Sequence, residues 1–176
     1  MDINAVLELA MDEGACRAKK LGITDGDLND LNITPDNPED LDPPLIDATE
    51  LYLDGNPLTS EGLRKFAPLR QLQEIHLWDT GIDDVAIEFI VATFSKLRYV
   101  AFGNVRVTAK GLALLVALTA LETLELGEVG ATHADIVEVI CRLPHLKVMW
   151  LSSSHSWKSS DVEELQRRRP ELKIIV

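Results

Sequence analysis

Five hydrophobic triplets recur along the chain: Ala48-Leu51-Leu53, Leu72-Ile75-Leu77, Leu97-Val100-Phe102, Leu121-Leu124-Leu126 and Leu146-Met149-Leu151. Each has the form LxxLxL, and their first positions are 24, 25, 24 and 25 residues apart. A fixed period of this size describes like units stacked in a row, each too small to bury its apolar face alone. It excludes an irregular globule around one unrepeated core.

After each triplet the chain turns, offers a residue able to cap a helix, and continues apolar at helical spacing. The capping column reads Thr24, Thr59, Asp83, Thr108, Thr132 and Ser159. All six are types whose side-chain oxygen accepts from the free amides at a helix start. Four residues on stand Leu28, Leu63, Ile87, Leu112 and Ile136; seven residues on stand Leu31, Phe66, Ile90, Leu115 and Val139. These two offsets share one helical face, so each unit is a short strand followed by a helix of about three turns. Strand then pairs with strand in parallel, with the helices outside.

Thr24 extends the column toward the N-terminus. Counting back eight and six positions places Cys16 and Ala18 in the strand columns of Leu51 and Leu53. This predicts a capping helix over 4–12, a weak first strand from Ala15 to Ala18 and a short helix from Thr24 to Leu31. Residues 1–47 thus read as an N-terminal cap with a degenerate first repeat and an acidic insertion bearing Pro35, Pro38, Pro43 and Pro44. Residues 48–176 read as the repeats, in one continuous domain. In the last unit Ser152 to Ser156 lengthens the loop, and a helix from Asp161 carries Arg167-Arg168-Arg169 at its end, where cations complement the dipole. Pro170 stops that helix, and Leu172 to Val176 restarts the strand pattern with an open edge.

Composition narrows the partners. A formal charge of −12 disfavours a nucleic-acid backbone and an anionic membrane surface, and favours a basic protein patch. The start of the chain lacks the basic region of a secretory signal, and no run approaches the length of a membrane span. Cys16 and Cys141 are too few for a disulfide framework, so a reducing cytoplasm is the expected location. Without a secretion signal, the glycosylation-like triplet Asn32-Ile33-Thr34 carries no weight.

The triplets, the period and the segment from Leu51 to Leu63 (LYLDGNPLTSEGL) resemble a leucine-rich repeat protein. The helical convex side makes the chain similar to the ribonuclease-inhibitor-like class. The resemblance covers residues 48–176 well and the preceding segment weakly. It implies an α/β solenoid: a right-handed βα superhelix with a parallel sheet on the concave face and helices on the convex face. It implies no one function, because the scaffold serves unrelated partners. The family's turn asparagine occurs here at Asn56 only; its counterparts are Thr80, Val105 and Val129, with Asn104 one place early. An incomplete side-chain ladder is the expectation.

Side chains alternate along a strand, so residues between the buried triplet positions face the concave side. The third position of each unit gives Glu50, Glu74, Tyr99, Thr123 and Val148. The fifth gives Tyr52, His76, Ala101, Glu125 and Trp150, and the seventh Asp54, Trp78, Gly103, Gly127 and Ser152. Aromatic anchors in a polar field dominate protein-interface energetics. The candidate protein-binding set is therefore Glu50, Tyr52, Asp54, Glu74, His76, Trp78, Tyr99, Glu125 and Trp150, with cation–π contacts to a basic partner. A structural reading stands beside it, in which Trp150 packs under the final strand and Trp78 over the adjacent loop.

Chemistry is poorly served. His76 lies near Glu50 and Glu74, a pairing that can exchange protons, but no nucleophile column or phosphate loop accompanies it. Cys16 and Cys141 fall in apolar patterns, as packing thiols do. Asp25-Gly26-Asp27-Leu28-Asn29 begins like a calcium loop, yet Asp30 stands where glycine belongs and Asp36 where glutamate does. The sequence thus describes a non-enzymatic interaction scaffold with no cofactor and no metal, binding a protein through its concave face. The alternative is a structural subunit, a weak homodimer pairing through Leu172 to Val176; an effector with cryptic activity ranks below both.

Overall fold

The computed structural model describes residues 20–22, 48–56, 58–152 and 157–176. They form one parallel sheet of seven strands in sequential order: β1 Lys20–Gly22, β2 Glu50–Tyr52, β3 Glu74–His76, β4 Tyr99–Phe102, β5 Thr123–Leu126, β6 Val148–Leu151 and β7 Lys173–Ile175. Between successive strands from β2 onward run the helices α1 Ser60–Leu63, α2 Asp84–Thr93, α3 Ala109–Leu114, α4 His133–Arg142 and α5 Ser159–Arg168. The fold is an α/β solenoid of leucine-rich repeat type. Paired strands sit about 4.8 Å apart and packed helices about 8–10 Å apart, so such a stack curves with its sheet inside.

All five triplets are buried, no member being more than 3% exposed. The helical columns deliver the other half of the core: Leu63, Phe66, Ile87, Ile90, Leu112, Leu115, Ile136 and Val139 are all buried against the sheet. Each such side chain contributes about 1.5–3 kcal/mol by leaving water.

The alternating period has a visible consequence. In the two 24-residue units, beginning at Ala48 and Leu97, the helix is short and ends in a 3₁₀ turn, Arg64–Phe66 and Leu115–Ala117. In the 25-residue units, beginning at Leu72 and Leu121, it is a ten-residue α-helix. A 3₁₀ turn rises about 2.0 Å per residue against about 1.5 Å in an α-helix, so it spans the same distance with fewer residues. The uniform three-turn helices expected from the apolar pattern therefore hold only in alternate units.

The capping column is realised at four places. The side chains of Thr59, Asp83, Thr108 and Thr132 accept from the amides of Gly62, Val85, Lys110 and Asp135. Thr132 and Asp135 complete a capping box, with the Asp135 carboxylate accepting from the Thr132 amide at 3.0 Å. The last cap differs from expectation: Ser159 is already helical, Lys158 precedes the helix, and the Asp161 carboxylate accepts from the Lys158 amide at 3.1 Å.

The arginine run also departs from its expected place. Only Arg167 pairs within its own helix, with Glu164 at 2.7 Å; Arg168 reaches Glu138 of α4. Arg169 turns back to donate to the carbonyls of Ile140, Leu143 and Leu146 at 2.8–3.0 Å. It thus closes the C-terminal end of α4 rather than α5, adding donors at the carbonyls of the last helical turn and the loop after it.

At the other end β1 pairs with β2 in the register Leu21↔Leu51 and Gly22↔Tyr52. Leu21 therefore occupies the column of Leu51; Cys16 and Ala18, to which a count back from Thr24 assigns the columns of Leu51 and Leu53, lie outside the described residues. The expected elements over 4–12, Ala15 to Ala18 and Thr24 to Leu31, together with the calcium-like and proline-bearing segments, lie outside the described residues.

The turn after each strand shows how the missing asparagines are replaced. Buried Asn56 donates through Nδ2 to the carbonyls of Leu53 and Asp54 at 3.0 and 3.2 Å. Thr80 repeats the first bond with its hydroxyl, donating to Leu77 at 2.9 Å. Val105 and Val129 are buried and supply apolar packing at the same place. Gly55, Asp79 and Asn104, at equivalent turn positions, have φ of 72°, 53° and 52°. Asp and Asn tolerate this left-handed region best among residues with a side chain.

Candidate functional site

The strand register places the concave columns side by side. Glu50, Glu74, Tyr99, Thr123, Val148 and Lys173 are successive partners, as are Tyr52, His76, Ala101, Glu125, Trp150 and Ile175. Adjacent members of a row are therefore held about one strand spacing apart.

Three rings occupy the first half of the second row. Tyr52 stacks on His76 with centroids 4.2 Å apart and planes 17° from parallel. His76 stacks in turn on Tyr99, at 5.0 Å and 20°. Tyr99 belongs to the other row, yet its hydroxyl donates to Glu125 at 2.5 Å. Both His76 and Glu125 flank Ala101 in register, so the Tyr99 ring fills the slot left by that small residue, and Ala101 is fully buried. Across β2 to β6 the order along this face becomes Tyr52, His76, Tyr99, Glu125, Trp150, the first four half-buried and the last exposed.

Carboxylates tie the rings down. The Tyr52 hydroxyl lies within bonding distance of Glu74 (2.8 Å) and of Glu50 (3.3 Å). The same Glu74 oxygen meets His76 Nε2 at 2.7 Å. Burial, reinforced by these carboxylates, pushes both phenols well above their ordinary pKa: Glu74 acts on Tyr52 and Glu125 on Tyr99. Both tyrosines therefore stay neutral and donate to the glutamates.

Rings 4.2 and 5.0 Å apart leave no space for a cation between their faces, so inside the ladder the π surfaces serve each other.

The remaining candidates fall apart from the ladder. Asp54 is exposed and accepts from the Trp78 backbone amide at 2.7 Å, which bridges two turns. Trp78 lies across the neighbouring strand ends: a β-carbon on Gly103 or Gly127 would fall 2.4 or 2.3 Å from its Cζ3. Its indole is thus a cover over two glycines, as the structural reading held. Trp150 is 43% exposed at the far end of the row, beside Glu125.

One cluster escaped the sequence reading. His133, the first residue of α4, stacks on Trp157 at 4.6 Å and meets Asp161 at 2.9 Å through Nδ1. It joins two repeats on the helical side; no spacing rule signalled it, because its members come from different units. Cys141 is partly buried against the core, and burial raises its thiol pKa. Cys16 lies outside the described residues. Among the described residues no group of three His, Cys, Asp or Glu side chains could hold a metal ion, and no helix is long and apolar enough to cross a membrane.

The repeat period, the sequential parallel sheet and the turn asparagine agree. The architecture is a leucine-rich repeat solenoid. No protein-family model matches the chain, and no curated protein matches it. Among solved structures it is similar to internalin C2 of Listeria monocytogenes, at 22% identity and a TM-score of 0.44, over 73% of this chain and 60% of that one. It is also similar to a second internalin of that organism, at 16% identity and a TM-score of 0.37, over 75% of this chain and 48% of that one. The chain thus spans about half to three-fifths of the length of these two proteins.

Proposed function

We propose that this chain is a non-catalytic protein-interaction module that receives a basic protein surface on its concave face. The observation that carries this reading is the row Tyr52, His76, Tyr99 and Glu125, fixed by stacking and by carboxylate hydrogen bonds and continued by the exposed Trp150. A pre-ordered face loses little side-chain entropy on binding, which is one of the costs of association. Its carboxylates attract Lys and Arg, and the formal charge of −12 favours fast association at low salt. A unit of 24 or 25 residues with helices on the outer side fits the ribonuclease-inhibitor-like class. His76 belongs to the ring ladder in this reading and performs no chemistry.

Replacing Tyr52, His76 and Trp150 with alanine is the test. Capture of the native partner from its cell extract should be lost while the circular dichroism spectrum and melting transition persist. Capture at full strength by the folded triple variant would move the contact surface elsewhere.

A further inference from the structure

The concave row ends in an uncompensated pair. Glu125 and Trp150 are direct register partners on β5 and β6. The Glu125 carboxylate is half-buried and accepts the Tyr99 hydroxyl, which fixes its position without neutralising it. Among the described residues no cation forms an ion pair with Glu125; the ion pairs gather instead three residues earlier, just before β5, where Arg98 and Lys147 both meet Glu122 at 2.9 and 3.1 Å. The nearest cation by register, Lys173, stands opposite Val148, two positions down the strand from Trp150. Glu74, by contrast, already has His76 against it.

Trp150 is equally unspent. It is 43% exposed, whereas Trp78 is laid over glycines and Trp157 is packed against the core. The other large apolar side chains left open among the described residues are Val85 and Leu114 on helices and Val176 at the last position. Trp150 alone joins an open aromatic surface to a charge, and among the described residues no ring stacks on it. An indole beside a fixed carboxylate matches one side chain best. Guanidinium is planar, weakly hydrated and forked, so it stacks on an aromatic ring while pairing with a carboxylate through two N–H groups. Ammonium is more strongly hydrated and presents no flat face.

We propose that Glu125 and Trp150 form the receptor for a single arginine side chain of the protein partner. The proposal rests on the concave-face reading and names its anchor. Tyr99 is a positioning residue here: it fills the Ala101 slot and its hydroxyl holds the Glu125 carboxylate through Oε2.

The test uses hexa-arginine, hexalysine and hexacitrulline peptides titrated into the protein at about 0.15 M salt, where long-range attraction is screened. Binding is read by calorimetry and by tryptophan fluorescence. Hexa-arginine should bind saturably and several-fold more tightly than hexalysine, and the uncharged citrulline isostere should not bind. Glu125→Gln and Trp150→Leu should each weaken hexa-arginine about tenfold, and Trp150→Phe should retain most of the affinity because a ring face remains. Thermal melts of each variant establish that it is folded, and Trp150→Phe serves if Trp150→Leu is not. Undiminished binding in Glu125→Gln and Trp150→Leu, together with loss in the Glu50→Gln/Glu74→Gln double variant, would overturn the arginine receptor and leave the concave-face reading standing. Equal affinity for hexalysine and hexa-arginine would likewise overturn it. Absence of saturable binding, or binding insensitive to all of these substitutions, would overturn both.

Discussion

The indole of Trp78 fills the space over Gly127: a β-carbon there would lie 2.3 Å from its Cζ3 and 2.4 Å from its Cη2. Gly103 is enclosed more tightly, because its β-carbon would also meet the Gly127 Cα at 2.6 Å, and backbone does not move aside. Gly127→Ala should therefore cost about 1–3 kcal/mol, and Gly103→Ala more. Removing the indole with Trp78→Ala should relieve most of the Gly127→Ala penalty and little of the Gly103→Ala penalty. Denaturant unfolding of the single and double variants measures both couplings.

Arg169 carries more stability than its neighbours in the run. Its side chain is 13% exposed and it donates to three carbonyls at the end of the preceding repeat. Arg169→Met should cost about 2–3 kcal/mol, since each lost charged bond leaves a sheltered carbonyl without its donor. Arg167→Ala removes only an exposed pair with Glu164 and should cost below about 0.5 kcal/mol. Melting temperatures of the two variants should differ by several degrees. Equal shifts would place Arg169 in solvent.

The helix starts give a second contrast. Thr132 accepts from the Asp135 amide at 3.2 Å, and its hydroxyl leads the groups that hold the Asp135 carboxyl below the usual aspartate range. Thr132→Ala should cost about 1 kcal/mol. Ser159→Ala, one residue inside α5, should cost almost nothing, while Asp161→Ala should cost about as much as Thr132→Ala because its carboxylate holds the Lys158 amide. A Ser159→Ala penalty equal to that of Thr132→Ala would restore Ser159 as the cap.

These contrasts mark where sequence reasoning succeeds. Columns along one strand depend on local alternation, so Leu51, Ile75, Val100, Leu124 and Met149 could be placed in the core, and the concave neighbours follow. Even the alternation of helix lengths is present in the 24 and 25 residue spacings. Lateral relations are different in kind. That Tyr99 turns onto His76, that Trp78 covers Gly103 and Gly127, and that Arg169 serves the preceding helix each depend on a residue in another repeat. No single-strand pattern encodes such pairs. Ser159 failed for a simpler reason: a lengthened loop shifted the cap, and Asp161 could supply the same acceptor.

The last prediction concerns pH and uses the chain's two tyrosines, Tyr52 and Tyr99, both of which stand in the ladder. Burial, and then the bonds to Glu74 and Glu125, raise both phenol pKa values in the folded state above the ordinary value of about 10. A group that holds its proton more tightly when folded adds stability that is fully present below its unfolded pKa and lost as pH rises above it. The phenolate absorbance near 295 nm should therefore be absent at pH 10, where a free tyrosine is half ionised. It should appear at higher pH together with loss of the folded circular dichroism signal. Glu74→Gln should lower the pH at which Tyr52 ionises, and Glu125→Gln that of Tyr99, since a neutral amide no longer repels the phenolate. Half-ionisation of both tyrosines at pH 10 in the folded protein would mean that the ladder is open to water and that its carboxylates are not held by the rings.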